Sequence, residues 1–229
     1  MDVDMLVLGV DTCGPSGSVA LGRLTGHGME VIAQKELAGR TYSATLVAAV
    51  GELLAAVGAG VKDLGAMVAV NGPGSFTGVR VGLSAVKGLA EPGGIPVTAV
   101  SRLAVLARKA QTPAAALDAH RNELFVRAQS PDGAPVELLA GNEELAGLQS
   151  APSRIAVCDE AAVALLTAAW PDAALVRVEP PTAADALELA AAAVAAGEFV
   201  DLALLDGHYL RRSDAEIFGE PAVAGSHPA

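Results

Sequence analysis

One stretch, VAVNGPGSFTGVRVGLSAVKGLAE at residues 68–91, constrains the fold more than any other part of the chain. An apolar run ending at Val70 is followed by glycines and a proline, then by Ser75, and then by residues with helical spacing. This order predicts a strand, a tight turn, a helix N-cap and a helix. Ser75 or Thr77 can accept from the free N–H groups of the first helical turn. Two interpretations stay open: an anion site at the helix start, or a turn alone.

The helix predicted for residues 77–90 carries only two charges, Arg80 and Lys87, and is otherwise apolar or small. A helix on one face of a sheet needs an apolar arc of only about 100°, so apolar character nearly all round predicts burial on two sides. Gly78 and Gly82, followed by Ala85 and Gly88, would let another helix approach closely. We therefore expect a partner chain to cover the second side. A second helix, predicted for residues 43–57, is similar, since its only charge is Glu52.

Charge and hydropathy exclude several functional classes. Fifteen basic and 26 acidic residues give a net charge of −11, which argues against autonomous nucleic-acid binding because that needs a basic surface. Hydrophobic residues make up 52% of the 229 residues, but charges interrupt every apolar run well short of roughly 20 residues. The first residues, MDVD, lack a basic region, so no signal peptide is expected. We expect a soluble, cytoplasmic protein that does not contact a membrane.

The predicted element order βββαβαβα occurs twice, and each half opens with a strand that ends in aspartate, at Asp11 and at Asp118. Such a duplication indicates two related lobes. Strands in a meander followed by strands alternating with helices predict an α/β fold in which each lobe has a mixed sheet with flanking helices. The expected divisions are an N-terminal lobe at residues 1–100, a smaller C-terminal lobe at 101–212 and a mobile tail at 213–229.

Asp11, Thr12 and Ser18 are the candidate for a cofactor-binding site, expected as a vestigial phosphate site. An aspartate after the first strand, followed by a small-residue hairpin and a serine, resembles the phosphate-binding opening of actin-like ATPases and sugar kinases. The simpler interpretation is that Asp11 and Asp118 each end a strand and stabilise a turn. Both interpretations stay open.

No catalytic or metal-binding residue is predicted. The glycine-rich turn lacks the lysine of a P-loop, and Ser75 lacks the flanking glycines of a nucleophile elbow. The four histidines are scattered without ligand spacing. Cys13 has no basic neighbour in its turn to lower its pKa, so a small buried residue is the better interpretation.

The sequence as a whole resembles the TsaB (YeaZ) family, which belongs to the actin-like superfamily. The motif VNGPGSFTGVRVG at residues 70–82 is highly specific for this family. LGVDT at 8–12, SVAL at 18–21, VSRL at 100–103, DAHRNELF at 118–125 and YLR at 209–211 match further landmarks. The resemblance thus extends over residues 6–211.

The resemblance implies two ribonuclease H-like lobes and a non-catalytic scaffold role in the bacterial machinery for tRNA threonylcarbamoyladenosine. There, a complex transfers threonylcarbamoyl from its adenylate to N6 of the tRNA adenosine beside the anticodon. The family pairs with a larger catalytic paralogue, TsaD, and with an ATPase, TsaE, and it reaches tRNA only through the complex. A homodimer is an alternative arrangement. No cofactor is expected on the isolated chain, whereas Mg-ATP at the level of the complex stays open.

The two apolar helices match the family's contact surface. The residues expected at this interface are Leu46, Val47, Val50, Leu53, Leu54, Thr77, Val79, Arg80, Val81, Gly82, Leu83, Ala85, Val86 and Leu89. One departure is Tyr42, where the family usually has histidine. An alternative function, an autonomous ATP-dependent small-molecule kinase or ATPase, rests on Asp11, the hairpin and the two lobes.

Overall fold

The computed structural model describes residues 4–39, 42–130, 132–147 and 151–210. The first half of the chain forms five strands and three helices. In order these are β1 (Met5–Asp11), β2 (Gly17–Thr25), β3 (Gly28–Leu37), α1 (Tyr42–Ala56), β4 (Ala66–Val70), α2 (Phe76–Ala90), β5 (Val97–Val100) and α3 (Arg102–Lys109). The second half forms β6 (Ala114–Asp118), β7 (Glu123–Gln129), β8 (Pro135–Gly141), α4 (Asn142–Gly147), β9 (Arg154–Val157), α5 (Glu160–Ala169), β10 (Ala174–Arg177) and α6 (Ala183–Ala196).

The two halves have the same sheet topology. The strand order is β3-β2-β1-β4-β5 in the first sheet and β8-β7-β6-β9-β10 in the second. In both, the first three strands form an antiparallel meander and the last two run parallel to the first strand. The predicted α/β fold with two duplicated, ribonuclease H-like lobes is therefore confirmed.

The last helix of each half packs against the other half's sheet. Leu103 and Leu106 of α3 lie in a core with Leu117 and Phe125 of the second sheet. In return, α6 packs on the first sheet, and its close approach is possible because Gly9 of β1 has no side chain: a Cβ there would lie 2.8 Å from the Ala183 carbonyl oxygen. The predicted range of 101–212 thus includes a helix that packs with the N-terminal core.

Capping residues set most helix starts as predicted. Ser75 caps α2, Ser101 caps α3, Asp159 caps α5, and Thr182 forms a capping box with Asp185 at α6. The short helix α4 was not identified from the sequence, since it is only six residues long and has no strong periodicity. The tail predicted at 213–229 lies outside the described residues.

After α6, residues 201–210 form a C-terminal strap that contacts both lobes. Leu205 is buried in the first core, and the amide of His208 donates to the carbonyl oxygen of Asn71, 2.7 Å away. Leu210 packs against the core formed by α3 and the second sheet. No helix in the described part of the chain is long and apolar enough to cross a membrane.

Candidate functional site

The two strand-terminal aspartates make the same local contact in the two lobes. The Oδ1 atom of Asp11 accepts from the amide of Cys13 at 2.8 Å, and that of Asp118 accepts from the amide of His120 at 2.8 Å. Aspartate commonly stabilises a turn by accepting from a backbone N–H two residues on. The structure therefore shows both aspartates stabilising a turn, which agrees with the simpler of the two interpretations.

Asp11 also has a cationic partner that the sequence interpretation missed. Its Oδ2 atom lies 3.6 Å from the Nε atom of Arg102, and both side chains are buried. Arg102 is the first residue of α3, a position where the helix dipole disfavours a cation. No local pattern in the sequence identified this pair, because Asp11 and Arg102 lie far apart along the chain.

The other two residues of the candidate phosphate site are also engaged within the chain. The hydroxyl of Thr12 donates to the carbonyl oxygen of Gly78 at 2.7 Å. The Ser18 hydroxyl oxygen accepts from the amide of Ala183 at 2.8 Å, so it occupies the N-terminus of α6. Asp11, Thr12 and Ser18 are all nearly inaccessible to solvent. Binding of phosphate by these residues stays a prediction, and all three already have intramolecular partners.

The glycines of α2 face this turn rather than another helix. A Cβ on Gly78 would lie 2.0 Å from the carbonyl oxygen of Thr12, and one on Gly82 would lie 2.3 Å from the Thr12 hydroxyl. The expectation that Gly78 and Gly82 admit a partner helix was wrong, because the β1–β2 turn already fills the space beside them. Gly88 has open space beside it, and for Gly88 and Ala85 the expectation stays a prediction.

The structure divides the expected interface residues into two groups. One group is buried within the chain: Leu46, Val50, Leu53, Leu54, Val79, Gly82, Leu83 and Val86. The other is exposed or half-buried: Val47, Thr77, Arg80, Val81, Ala85 and Leu89. The second side of α2 is open to solvent in this chain, so its coverage by a partner chain stays a prediction. Within the chain, the residues of the second group are the more accessible ones.

A groove of about 380 Å³ separates α1 from α2. The side chains that line it are those of Tyr42, Leu46, Val47, Arg80, Val81, Ser84 and Ala85. Val47 is the most prominent apolar side chain at its rim, with 57% of its surface exposed. Tyr42, the residue that departs from the family pattern, donates from its hydroxyl to the carbonyl oxygen of Gly14 at 2.7 Å. Its hydroxyl therefore anchors the start of α1 to the β1–β2 turn.

Arg80, the one cation among these seven described lining residues, contacts an aromatic ring. The guanidinium carbon of Arg80 lies 3.9 Å from the centre of the Phe76 ring. That ring lies 5.0 Å from the ring of Tyr209 in the C-terminal strap. These ring contacts connect the C-terminal strap to the groove.

Glu137 of β8 connects the strap to the second lobe. Its carboxylate accepts from the Ser101 hydroxyl at 2.6 Å and from Arg127 Nη1 at 2.7 Å, and it lies 2.9 Å from His208 Nε2. The side chain of Glu137 is only 8% exposed. None of these contacts was identified from the sequence. Ser101 and His208 lie 36 and 71 positions from Glu137, whereas Arg127 is its cross-strand neighbour in the β7–β8 hairpin.

Neither cysteine is an activated nucleophile. Burial, with the nearby Asp11 carboxylate, raises the pKa of the Cys13 thiol well above its usual 9.0. Burial also raises the pKa of Cys158 to about 11. The nucleophile in thiol catalysis is the thiolate, and the raised pKa disfavours the thiolate of both residues near neutral pH. Among the described residues, no three His, Cys, Asp or Glu side chains are grouped so that they could hold a metal ion.

Comparison with known proteins gives consistent matches. A family model described as "TsaD: tRNA N6-adenosine threonylcarbamoyltransferase" matches residues 29–141. The tRNA threonylcarbamoyladenosine biosynthesis protein TsaB of Haemophilus influenzae is 35% identical over 128 residues, which cover 53% of this chain and 52% of that protein. TsaB of Escherichia coli is 33% identical over 127 residues, 53% of each chain. The chain therefore matches about half the length of these curated relatives.

Solved structures extend the match over most of the fold. YeaZ from Pseudomonas aeruginosa has a TM-score of 0.71 and 29% identity, covering 90% of this chain and 100% of that one. A P. aeruginosa protein described as similar to peptidase YeaZ has a TM-score of 0.73 at the same identity and coverage. The resemblance to the TsaB (YeaZ) family that the motif at residues 70–82 predicts is confirmed.

Proposed function

We propose that this chain, which matches TsaB (YeaZ) proteins in sequence and fold, is a non-catalytic subunit in the biosynthesis of tRNA threonylcarbamoyladenosine. In this proposal it pairs with a larger TsaD-like paralogue that carries the chemistry, and a TsaE-like ATPase joins the pair. The match to TsaB sequences supports the pathway. The observation that carries the scaffold role is the open groove between α1 and α2, with Val47 and Ala85 at its surface.

Two further observations support a structural rather than a chemical role. Asp11, Thr12 and Ser18 are engaged inside the chain. Both cysteines are protonated near neutral pH, and Ser75 serves as the N-cap of α2 by accepting from the amide of Gly78. These side chains hold the β1–β2 turn, α2 and α6 in place, which is what a rigid docking surface requires.

Co-purification with the TsaD-like paralogue encoded in the same genome tests the proposal. Val47→Asp places a charge on the groove and should abolish both the complex and the modified nucleoside in cells that depend on this gene. Val57→Asp is the matched control, because Val57 is also exposed but does not line the groove. An intact complex with normal nucleoside levels in the Val47→Asp strain would refute the role.

The alternative function is an autonomous ATP-dependent kinase or ATPase. It is favoured by the two lobes and by the aspartate at the end of β1. Titration calorimetry of the purified chain with Mg-ATP decides between the two functions. Tight binding that Asp11→Asn abolishes, without loss of folded structure, would favour the alternative.

A further inference from the structure

The C-terminal strap, residues 201–210, buries little of its own surface. Leu205 is the one buried residue of these ten described residues, and the other nine are half-buried or exposed. Leu204 has 79% of its surface exposed. None of the ten lies in a helix or a strand. A segment with few buried apolar contacts opens at a lower free-energy cost than the core beneath it.

The start of the strap is fixed to the first sheet. Directly before it, the amide of Val200 donates to the carbonyl oxygen of Val97 at 2.8 Å. The hydroxyl of Thr98 donates to the carbonyl oxygen of Glu198 at 3.0 Å. Val97 and Thr98 belong to β5. The strap is therefore a weakly buried segment with a firm root.

The far end of the strap is attached to both lobes within three consecutive residues. On the first lobe, the amide of His208 donates to the carbonyl oxygen of Asn71 at 2.7 Å, and the Tyr209 ring lies 5.0 Å from the Phe76 ring. On the second lobe, His208 Nε2 lies 2.9 Å from Glu137 Oε2. The next residue packs against the core formed by α3 and the second sheet. Because these residues are neighbours along the chain, releasing one of them frees the others to move.

The strap covers the carboxyl end of β4. Asn71 follows that strand directly, and a Cβ on Gly72 would lie 3.1 Å from the carbonyl oxygen of His208. The amide of Arg102, at the start of α3, donates to the carbonyl oxygen of Gly72 at 2.6 Å. The covered backbone is therefore the place where the first sheet meets the helix that packs on the second lobe.

We propose that the strap is a latch that opens and closes as one unit while both lobes stay folded. When the latch is closed, it joins Phe76 of the first lobe to Glu137 of the second. When it opens, both contacts are lost together and the carboxyl end of β4 is uncovered. Coupling between two sites is reciprocal, so a change that draws the Phe76 ring away from Tyr209 also weakens the hold on Glu137. This inference concerns the isolated chain and does not depend on the proposed function.

Native-state hydrogen exchange of the full-length chain, measured by NMR at urea concentrations below the unfolding transition, tests the latch. The amide of His208 reports on the strap, and the amide of Met67, which donates to the carbonyl oxygen of Pro96 in the first core, reports on global unfolding. We expect His208 to exchange at least about a hundredfold faster than Met67. Its rate should change little with urea, because opening the strap exposes little surface.

A core variant separates local opening from global unfolding. Val50 is buried in the first core on α1, away from the attachment points of the strap. Val50→Ala should raise the exchange rate of Met67 about tenfold and leave that of His208 unchanged. Equal increases at both amides would show that the strap opens only when the whole chain unfolds, which would overturn the inference.

Two further variants test whether the attachments act together. Glu137→Gln on the second lobe should raise the exchange rate of His208 about tenfold. Phe76→Ala on the first lobe should raise it about fivefold, although Phe76 contacts Tyr209 and not the exchanging amide. The matched controls are Glu160→Gln, which removes an exposed carboxylate, and Val57→Ala, which shortens an apolar side chain with the same 39% exposure as Phe76. Each control should change the rate less than about threefold.

The outcomes are decisive in both directions. Increases for Glu137→Gln and Phe76→Ala that both exceed their controls, with His208 unaffected by Val50→Ala, support a single latch. If either variant changes the rate no more than its control, the attachments act separately and the inference is overturned. Circular dichroism verifies that every variant is folded before exchange is measured.

Discussion

The Nε atom of Arg102 lies 3.6 Å from the Oδ2 atom of Asp11, with 7% and 3% of the two side chains exposed. Asp11 ends the first strand of the first lobe, and Arg102 begins the helix that packs on the second lobe. The pair therefore joins the two halves of the duplicated fold at their centre. A buried ion pair is most sensitive to the loss of one partner, which leaves the other charge without compensation.

Removing one member of this pair should destabilise the fold strongly. We expect Arg102→Met to lower the free energy of unfolding by about 3–5 kcal/mol, because Asp11 is left as an unpaired buried charge. The double variant Asp11→Asn/Arg102→Met should lose less than the sum of the single losses. Arg23→Met, which breaks the exposed pair with Asp4, is the control and should cost about 0–1 kcal/mol. Urea unfolding measures these three variants and the single variant Asp11→Asn, and additive losses would contradict a coupled pair.

Two glycines of α2 should respond oppositely to alanine. A Cβ at Gly82 would lie 2.3 Å from the Thr12 hydroxyl, whereas one at Gly88 would meet nothing within 4 Å. We expect Gly82→Ala to destabilise the protein by about 1–3 kcal/mol through overpacking. Gly88→Ala should stabilise it by roughly 0.5–1 kcal/mol, because alanine favours the helix interior. Thermal unfolding of both variants tests this, and similar shifts in the two would refute the close contact with Thr12.

The cysteines should be protected in the folded protein. Burial raises the pKa of Cys158 to about 11 and raises that of Cys13 well above 9.0. We expect iodoacetamide to label Cys158 slowly and Cys13 only after unfolding, as measured by mass spectrometry. Rapid labelling of Cys13 in the native protein at neutral pH would contradict its burial.

The same shift has a consequence for stability at high pH. The thiol of Cys158 holds its proton more tightly in the folded state than in the unfolded state. Its contribution to the free energy of unfolding is therefore complete below the usual pKa of 9.0. Stability should then fall as the pH rises from 9.0 towards about 11. Cys158→Ser should make the decline shallower, which urea unfolding at a series of pH values can detect. If this variant declines identically, the loss of stability at high pH comes from other titratable groups.

Loss of the Glu137 carboxylate should loosen the strap. Glu137→Gln weakens its contacts with Arg127 and His208, and we expect a loss of about 1–3 kcal/mol because a charged donor loses its partner. Glu160→Gln is the control, since Glu160 pairs with Arg177 on the exposed surface. Urea unfolding compares the two variants, and equal losses would show that the Glu137 contacts contribute no more than a surface pair.

Much of the fold could be predicted because its signals are local. The strand predicted at residues 66–70 and the caps at Ser75, Ser101 and Asp159 agree with the structure. Such features depend on residues within a few positions of one another, and hydrophobic periodicity reports them directly. The duplicated element order was visible for the same reason.

The candidate site was predicted less completely, because apolar character alone does not identify what covers a residue. Val47 and Val50 are equivalent by composition, yet Val47 is exposed on the groove and Val50 is buried beneath it. Gly82 was assigned to an interface, whereas its space is filled by Thr12, which lies 70 positions earlier in the chain. Neighbours so distant in sequence leave no periodic signal.

The sequence by itself determined the class of fold, the repeat of two lobes and the resemblance carried by VNGPGSFTGVRVG, since each depends on local order along the chain. Three features were decided by the tertiary structure alone. These are the packing of α3 on the second sheet and of α6 on the first, the pairing of Asp11 with Arg102, and the stacking of Arg80 on Phe76. The physical reason is that burial and electrostatic compensation depend on which surfaces meet after folding. The residues in contact across those surfaces lie far apart in the sequence.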